Sequence, residues 1–171
     1  MTNPTPQKIL IVAPAWVGDA VMAQPLFMRL KERAPDTLID VFAPAWVAPI
    51  LRRMPQVNEV VTNPFAHGEL KLKVRWKMAR AFARGGYDQA IVLPNSLKSA
   101  LIPFFAGIPR RTGFVGEMRY GLLNDARRLD AAACPRMVER FALLANQPDQ
   151  PLARPLPDPR LDVDDAHRRA V

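Results

Sequence analysis

One cysteine, Cys134, stands in the 171 residues. That scarcity excludes an internal disulfide and a cysteine-cluster metal site, and it fits a reducing compartment. A lone buried thiol of this kind is ordinarily a small core hydrophobe. The opening MTNPTPQ lacks a basic segment followed by an apolar one, so no signal peptide is expected. Long apolar runs are also missing: the longest, residues 100–108, is interrupted by Pro103 and is too short to cross a bilayer. Acidic residues are outnumbered 16 to 24 by basic ones, a net charge of +8 and a pI near 10.4. Such a balance attracts anionic partners, among them nucleic acid, acidic lipid and phosphorylated sugar. No zinc, helix-turn-helix or RNP signature accompanies it, which argues against nucleic acid. Glycine is sparse where a dinucleotide fold needs it. The first loop, APAWVG, has one glycine in place of the three of G-x-G-x-x-G, and Trp16 would obstruct a pyrophosphate.

What is present is organised around KILIVAPAWVGDAVMAQPL, residues 8–26. Residues 8–13 are short, apolar and β-branched, and Pro14 ends them, the pattern of a strand buried on both faces of a parallel sheet. A tight loop and a helix follow, spanning residues 19–33 with an early Pro25. Asp19 therefore falls at a strand's carboxyl edge, in the first turn of the next helix. Two readings fit it. A first-turn acid steadies its helix through the N-terminal N–H groups; an ionised carboxylate facing the crevice at that edge can also act as a general base.

Four more strands are expected, over 38–43, 57–61, 90–93 and at the end of 108–114, in a Rossmann-like α/β domain with flanking helices. With 49% hydrophobic residues, the chain can build one sizeable core. APAWV recurs at 13–17 and 43–47, bringing Trp16 and Trp46 to one rim, either as loop anchors or as walls of a site. Residues 47–54 read as a short helix and 63–68 as a loop holding His67. Residues 69–84 alternate at first but read as a helix, because Lys73, Lys77, Arg80 and Arg84 then form one stripe at i, i+4, i+7, i+11. Such a stripe is either a solvated face or an anionic-membrane contact. Gly85 and Gly86 end that helix. Ser96 is placed to cap the next one, with Lys98 in its first turn, where a cation opposes the helix dipole and so marks a binding group. Arg110 and Arg111 precede the fifth strand, and the loop 116–125 carries Glu117, Arg119 and Tyr120. Arg119 suits bidentate capture of a phosphate or carboxylate, or simple packing of its stem. An amphipathic helix covers 137–145. Five of the 18 prolines then fall within 147–159, an extended connector. Residues 1–146 thus form the domain, 147–160 the connector, and 161–171 the start of a second domain.

The stretch PAWVGDAVMAQPL resembles the opening motif of the lipopolysaccharide heptosyltransferases, glycosyltransferase family 9, in the branch that adds the second inner-core heptose. Residues 39–60, the pair His67 and Gly68, and residues 87–114, 116–125 and 137–145 are similar to the family in the same order. The resemblance implies the N-terminal, acceptor-side half of a two-domain GT-B enzyme about twice this length. It implies inverting, metal-independent transfer of L-glycero-D-manno-heptose from ADP-heptose to Kdo-lipid A bearing one heptose, with no cofactor. Asp19 would be the general base. Trp16, Trp46, His67, Lys98, Arg110, Arg111 and Arg119 would bind the acceptor, and Gly18 would touch the donor, whose other contacts belong to the second domain. The chain is accordingly expected to be inactive alone, cytoplasmic, and in peripheral contact with the inner face of the inner membrane.

Overall fold

The computed structural model describes residues 7–65 and 70–162. His67 lies outside the described residues, as does most of the segment expected to open a second domain.

Six strands form one parallel sheet in the order β3-β2-β1-β4-β5-β6. They are β1 Lys8–Val12, β2 Leu38–Pro44, β3 Glu59–Asn63, β4 Gln89–Val92, β5 Arg110–Phe114 and β6 Asp125–Arg127. Helices α1 Val17–Met22, α2 Gln24–Arg33, α3 Ala48–Leu51, α4 Leu72–Ala83, α5 Leu97–Phe105 and α6 Met137–Leu143 complete the α/β fold. Both faces of the central strands are buried, as their unbroken apolar runs require. Ile9 and Ile11 belong to one core cluster with Leu26, Phe27 and Phe141, while Leu10 and Val12 belong to the other with Ala79, Phe82 and Ile102. The alternation of a strand thus assigns α1, α2 and α6 to one side of the sheet and α4 and α5 to the other.

The structure corrects three expectations and adds contacts to a fourth. The helix expected over 19–33 is two, because Pro25 lacks an N–H and instead occupies the first turn of a new helix after Ala23. β3 lies two residues further along than expected. A sixth strand, Asp125–Arg127, forms within and just beyond a region read as loop; two of its three residues are charged, and Ala126 between them gives no apolar period. Side chains hold it instead: Asp125 accepts from Thr112 Oγ1 at 2.8 Å and pairs with Arg110 and Arg127 at 3.0 and 2.9 Å. Finally, the proline-rich connector is fastened to the domain. Arg29 donates to the Pro155 carbonyl at 2.7 Å, the Arg160 N–H donates to Gln24 at 2.7 Å, and the Asp162 N–H donates to the Arg53 carbonyl at 2.7 Å.

Candidate active site

The strand order reverses direction between β1 and β4, and in an open parallel sheet the loops diverge there and leave a crevice. A cavity of about 740 Å³ occupies it. Its walls come from the loops after β1, β2, β3, β4 and β5, together with α4 and α6.

Asp19 enters from the β1 side and Lys98 from the β4 side, and both line this cavity. Asp19 is half-buried in the first turn of α1. Among the described residues its carboxylate has no hydrogen-bond or ion-pair partner, so both oxygens are open to a ligand. Gly18 precedes it on the exposed side of the turn; a Cβ there would meet nothing within 4 Å. Trp16 and Trp46 also line the cavity, 76% and 58% exposed, broad apolar plates at its mouth.

Lys98 stands in the first turn of α5, but the cap of that helix differs from expectation. Ser96 supplies no side-chain cap. The Glu117 carboxylate accepts from the Leu97 N–H at 2.8 Å instead, bringing negative charge to the helix end and to the neighbourhood of Lys98.

The four rim cations expected together are separated by the fold. Arg110 and Arg111 begin β5, so they lie at the amino edge of the sheet, away from the cavity. There Arg110 pairs with Asp125, while Arg111 donates to the carbonyls of Ile108 and Leu122 at 2.6 and 2.7 Å. Arg119 is 1% exposed and turned inward. Its guanidinium donates to the Pro94 carbonyl at 2.6 Å and to the Phe114 carbonyl, and reaches Asn95 Oδ1 and Ser99 Oγ at 3.4 Å. Burial lowers its pKa, opposed by the nearby Glu117 charge. Arg119 therefore joins the ends of β4 and β5 from beneath and shapes the cavity without facing it.

Two arginines that the sequence reading passed over do line the cavity. Arg75 of α4 is 5% exposed, lies 4.0 Å over the Phe65 ring, and donates to the carbonyls of Leu70 and Lys98 at 2.6 and 3.1 Å. Burial lowers its pKa as well. A signal for it existed: Arg75 is the cation of α4 that falls off the stripe of Lys73, Lys77, Arg80 and Arg84, on the same face as buried Ala79 and Phe82. Arg140 of α6 lines the opposite wall and donates to the Cys134 carbonyl at 3.0 Å. The site is thus a carboxylate with no partner among the described residues, in a crevice that three cations and two tryptophans also line. Among the described residues no three His, Cys, Asp or Glu gather as metal ligands.

The model for glycosyltransferase family 9 (heptosyltransferase) matches residues 75–171. The chain belongs to this glycosyltransferase family. The match covers more than half of it and runs through the Lys98 and Arg140 walls of the cavity. Among curated relatives, the family 9 chain is 51% identical over 166 residues to lipopolysaccharide heptosyltransferase 2 of Escherichia coli, covering 94% of this chain and 48% of that one. It is 54% identical over 155 residues to the enzyme of the same name from Salmonella typhimurium, covering 90% and 44%. Its fold superposes on the structure of E. coli ADP-heptose lps heptosyltransferase II with a TM-score of 0.87 at 47% identity, covering 96% of this chain and 49% of that one. The chain spans about half the length of these relatives.

Proposed function

We propose that this chain is the acceptor-side half of an inverting heptosyltransferase that moves L-glycero-D-manno-heptose from ADP-heptose to the first heptose of Kdo-lipid A. The observation that carries the reading is the placement of Asp19 and Lys98 on opposite sides of the β1–β4 crevice, in one cavity. The acceptor hydroxyl sits against the Asp19 carboxylate. As its oxygen attacks the anomeric carbon from the face opposite the diphosphate, Asp19 takes the hydroxyl proton and the bond to ADP breaks. Attack from that face inverts the anomeric centre. No metal enters this account of the proton or of the sugar.

Lys98, Arg75 and Arg140 suit the anionic groups that surround the acceptor sugar, Kdo carboxylates and lipid A phosphates. Trp16 and Trp46 offer apolar plates to sugar faces. The charge growing on the leaving diphosphate needs its own donors, and helix N-termini and basic groups of a second domain are the natural source. The fastened strap 147–162 leads toward that domain, with Gly18 leaving room for the donor. The acceptor is anchored in lipid, so the enzyme works in the cytoplasm, at the inner face of the inner membrane.

The test is transfer of heptose by a chain extended to the length of the family, with ADP-heptose and heptosylated Kdo-lipid A as substrates. Turnover that Asp19→Asn abolishes, with the fold intact, supports the reading. Transfer unaffected by that substitution, or no transfer to this acceptor, overturns it.

A further inference from the structure

We propose that the outer face of α4, together with the adjoining edge of α5, is a docking surface for a bilayer rich in anionic phospholipid. Helix α4 buries a narrow stripe, Arg75, Ala79 and Phe82. Directly opposite, at steps of four, three and four residues, Lys73, Lys77, Arg80 and Arg84 all point outward and are exposed. Between residues 70 and 84 there is no acidic residue. Like charges at i, i+4 destabilise a helix, so this stripe weakens α4 and is not explained by its stability.

Apolar side chains flank the cations where a solvated helix would be polar. Leu70, Leu72, Val74 and Trp76 are each between 40% and 51% exposed. Trp76 meets the Phe105 ring edge-on at 5.6 Å, and Phe105 meets Phe104 at 5.7 Å, so the apolar edge continues from α4 onto α5. Cations whose stems lie along exposed aliphatics, with a tryptophan at the border, match the headgroup boundary of a bilayer, where charges meet phosphates and rings enter the acyl edge. A nucleic-acid surface explains the lysines but not Leu70, Leu72 and Val74 among them. No helix among the described residues is long and apolar enough to cross a membrane, so this contact lies on the surface.

The placement gives the contact a use. Helix α4 follows β3, so its N-terminal turn lies at the cleft side of the sheet, and Arg75 of the same helix lines the cavity beside Lys98. A bilayer against α4 and α5 holds the cleft mouth at the lipid surface. The inference deepens the reading above, resting on it for the lipid-linked acceptor, while its test involves no sugar transfer, so that either can fail alone.

The test is co-sedimentation of the 171-residue chain with vesicles of phosphatidylglycerol and phosphatidylcholine, against phosphatidylcholine alone. Binding to the anionic vesicles alone, weakened by salt, is expected. The pair Lys77→Glu and Arg80→Glu should reduce it at least tenfold, given roughly fivefold for each juxtamembrane cation. Leu72→Ser with Val74→Ser should reduce it without changing charge, and thermal melting should show both variants folded. In a Trp16→Phe, Trp46→Phe background Trp76 is the remaining tryptophan, and brominated phospholipid should quench it. Absent vesicle binding, binding indifferent to both variants, or binding that leaves Trp76 unquenched overturns the proposal. So does retention of duplex DNA, but not vesicles, through the same cations.

Discussion

The indole N–H of Trp46 donates to the Ala15 carbonyl at 2.8 Å, so the loop leaving β2 holds the loop leaving β1. The two APAWV segments are therefore clasped at the crevice rim, and the grip falls four residues before Asp19. Trp46→Phe keeps an aromatic ring, though a smaller one, and removes the donor. It should cost about 1 kcal/mol of stability, the net worth of one hydrogen bond. Hydrogen exchange in the first turn of α1 should quicken, while exchange in β4 stays as it was. Unchanged exchange in α1 would show that the loop stands without the clasp.

Asp19→Asn tests the base against the structural role. An asparagine serves a helix N-terminus nearly as well as an aspartate, so the melting temperature should move little. In a chain of full family length, heptosyl transfer should fall by about two to four orders of magnitude, the usual share of general base catalysis. A large drop in melting temperature with transfer retained would assign Asp19 to helix stability.

Arg75 and Lys98 should separate acceptor from donor. Lys98→Ala, or Arg75→Lys, should raise the acceptor Michaelis constant about ten- to a hundredfold, the worth of a lost charge-assisted contact. ADP-heptose binding should be unaltered. Arg111→Ala, at the far edge of the sheet, should leave both constants unchanged. An effect of Arg111 equal to that of Lys98 would contradict this division.

Arg119 and Glu117 should behave as parts of the frame. Glu117 and Met118 both adopt left-handed backbone, and a Cβ on Gly116 would come within 3.1 Å of the Asn95 carbonyl, so the loop is pressed against the β4 rim. Removing the Arg119 guanidinium takes a donor from the buried carbonyl of Phe114 and leaves the half-buried carbonyl of Pro94 to Ser99 Oγ alone. Arg119→Met should cost about 2 to 4 kcal/mol in urea denaturation. A loss below about 1 kcal/mol would return Arg119 to the surface role expected of a rim cation.

The pH dependence should carry the mark of Asp125. Its burial works against ionisation, but hydrogen bonds from Arg127, Thr112 and Arg110 outweigh it and lower the pKa from 3.8 to about 2. With the folded value depressed, the contribution to stability is present above pH 4 and disappears as the pH falls toward 2. Asp125→Asn should flatten the stability curve between those limits. An identical acid transition in the variant would remove Asp125 from it.

A buried carboxylate of β2, Asp40, was not anticipated. It is fully buried in β2, pairs with Lys8 at 3.1 Å, and accepts from Tyr87 and Asn58 at 2.7 Å each. Burial first, then the hydrogen bond to Asp40, raises the Tyr87 pKa above its ordinary value. Asp40 sits inside an apolar strand, where a sequence pattern registers only an interruption.

By itself the sequence determined what depends on neighbours along the chain. Apolar runs ended by proline place β1 and β2, and the break after β1 puts Asp19 in a first turn; helical spacing places α4 with its cations outward. Family membership was likewise legible, because motifs spread in order over the chain are a linear property. Which cation faces the cavity was decided in three dimensions. Arg75 is turned inward because the stripe with Ala79 and Phe82 packs on the sheet, and Arg119 is buried because two strand ends leave carbonyls that need donors. Arg110 and Arg111 lie far from the crevice because β5 runs parallel to its neighbours, which puts its first residues at the opposite edge. The sixth strand and the cap from Glu117 have the same origin. Each depends on a hydrogen bond between residues distant in sequence, and residue type alone does not encode the partner.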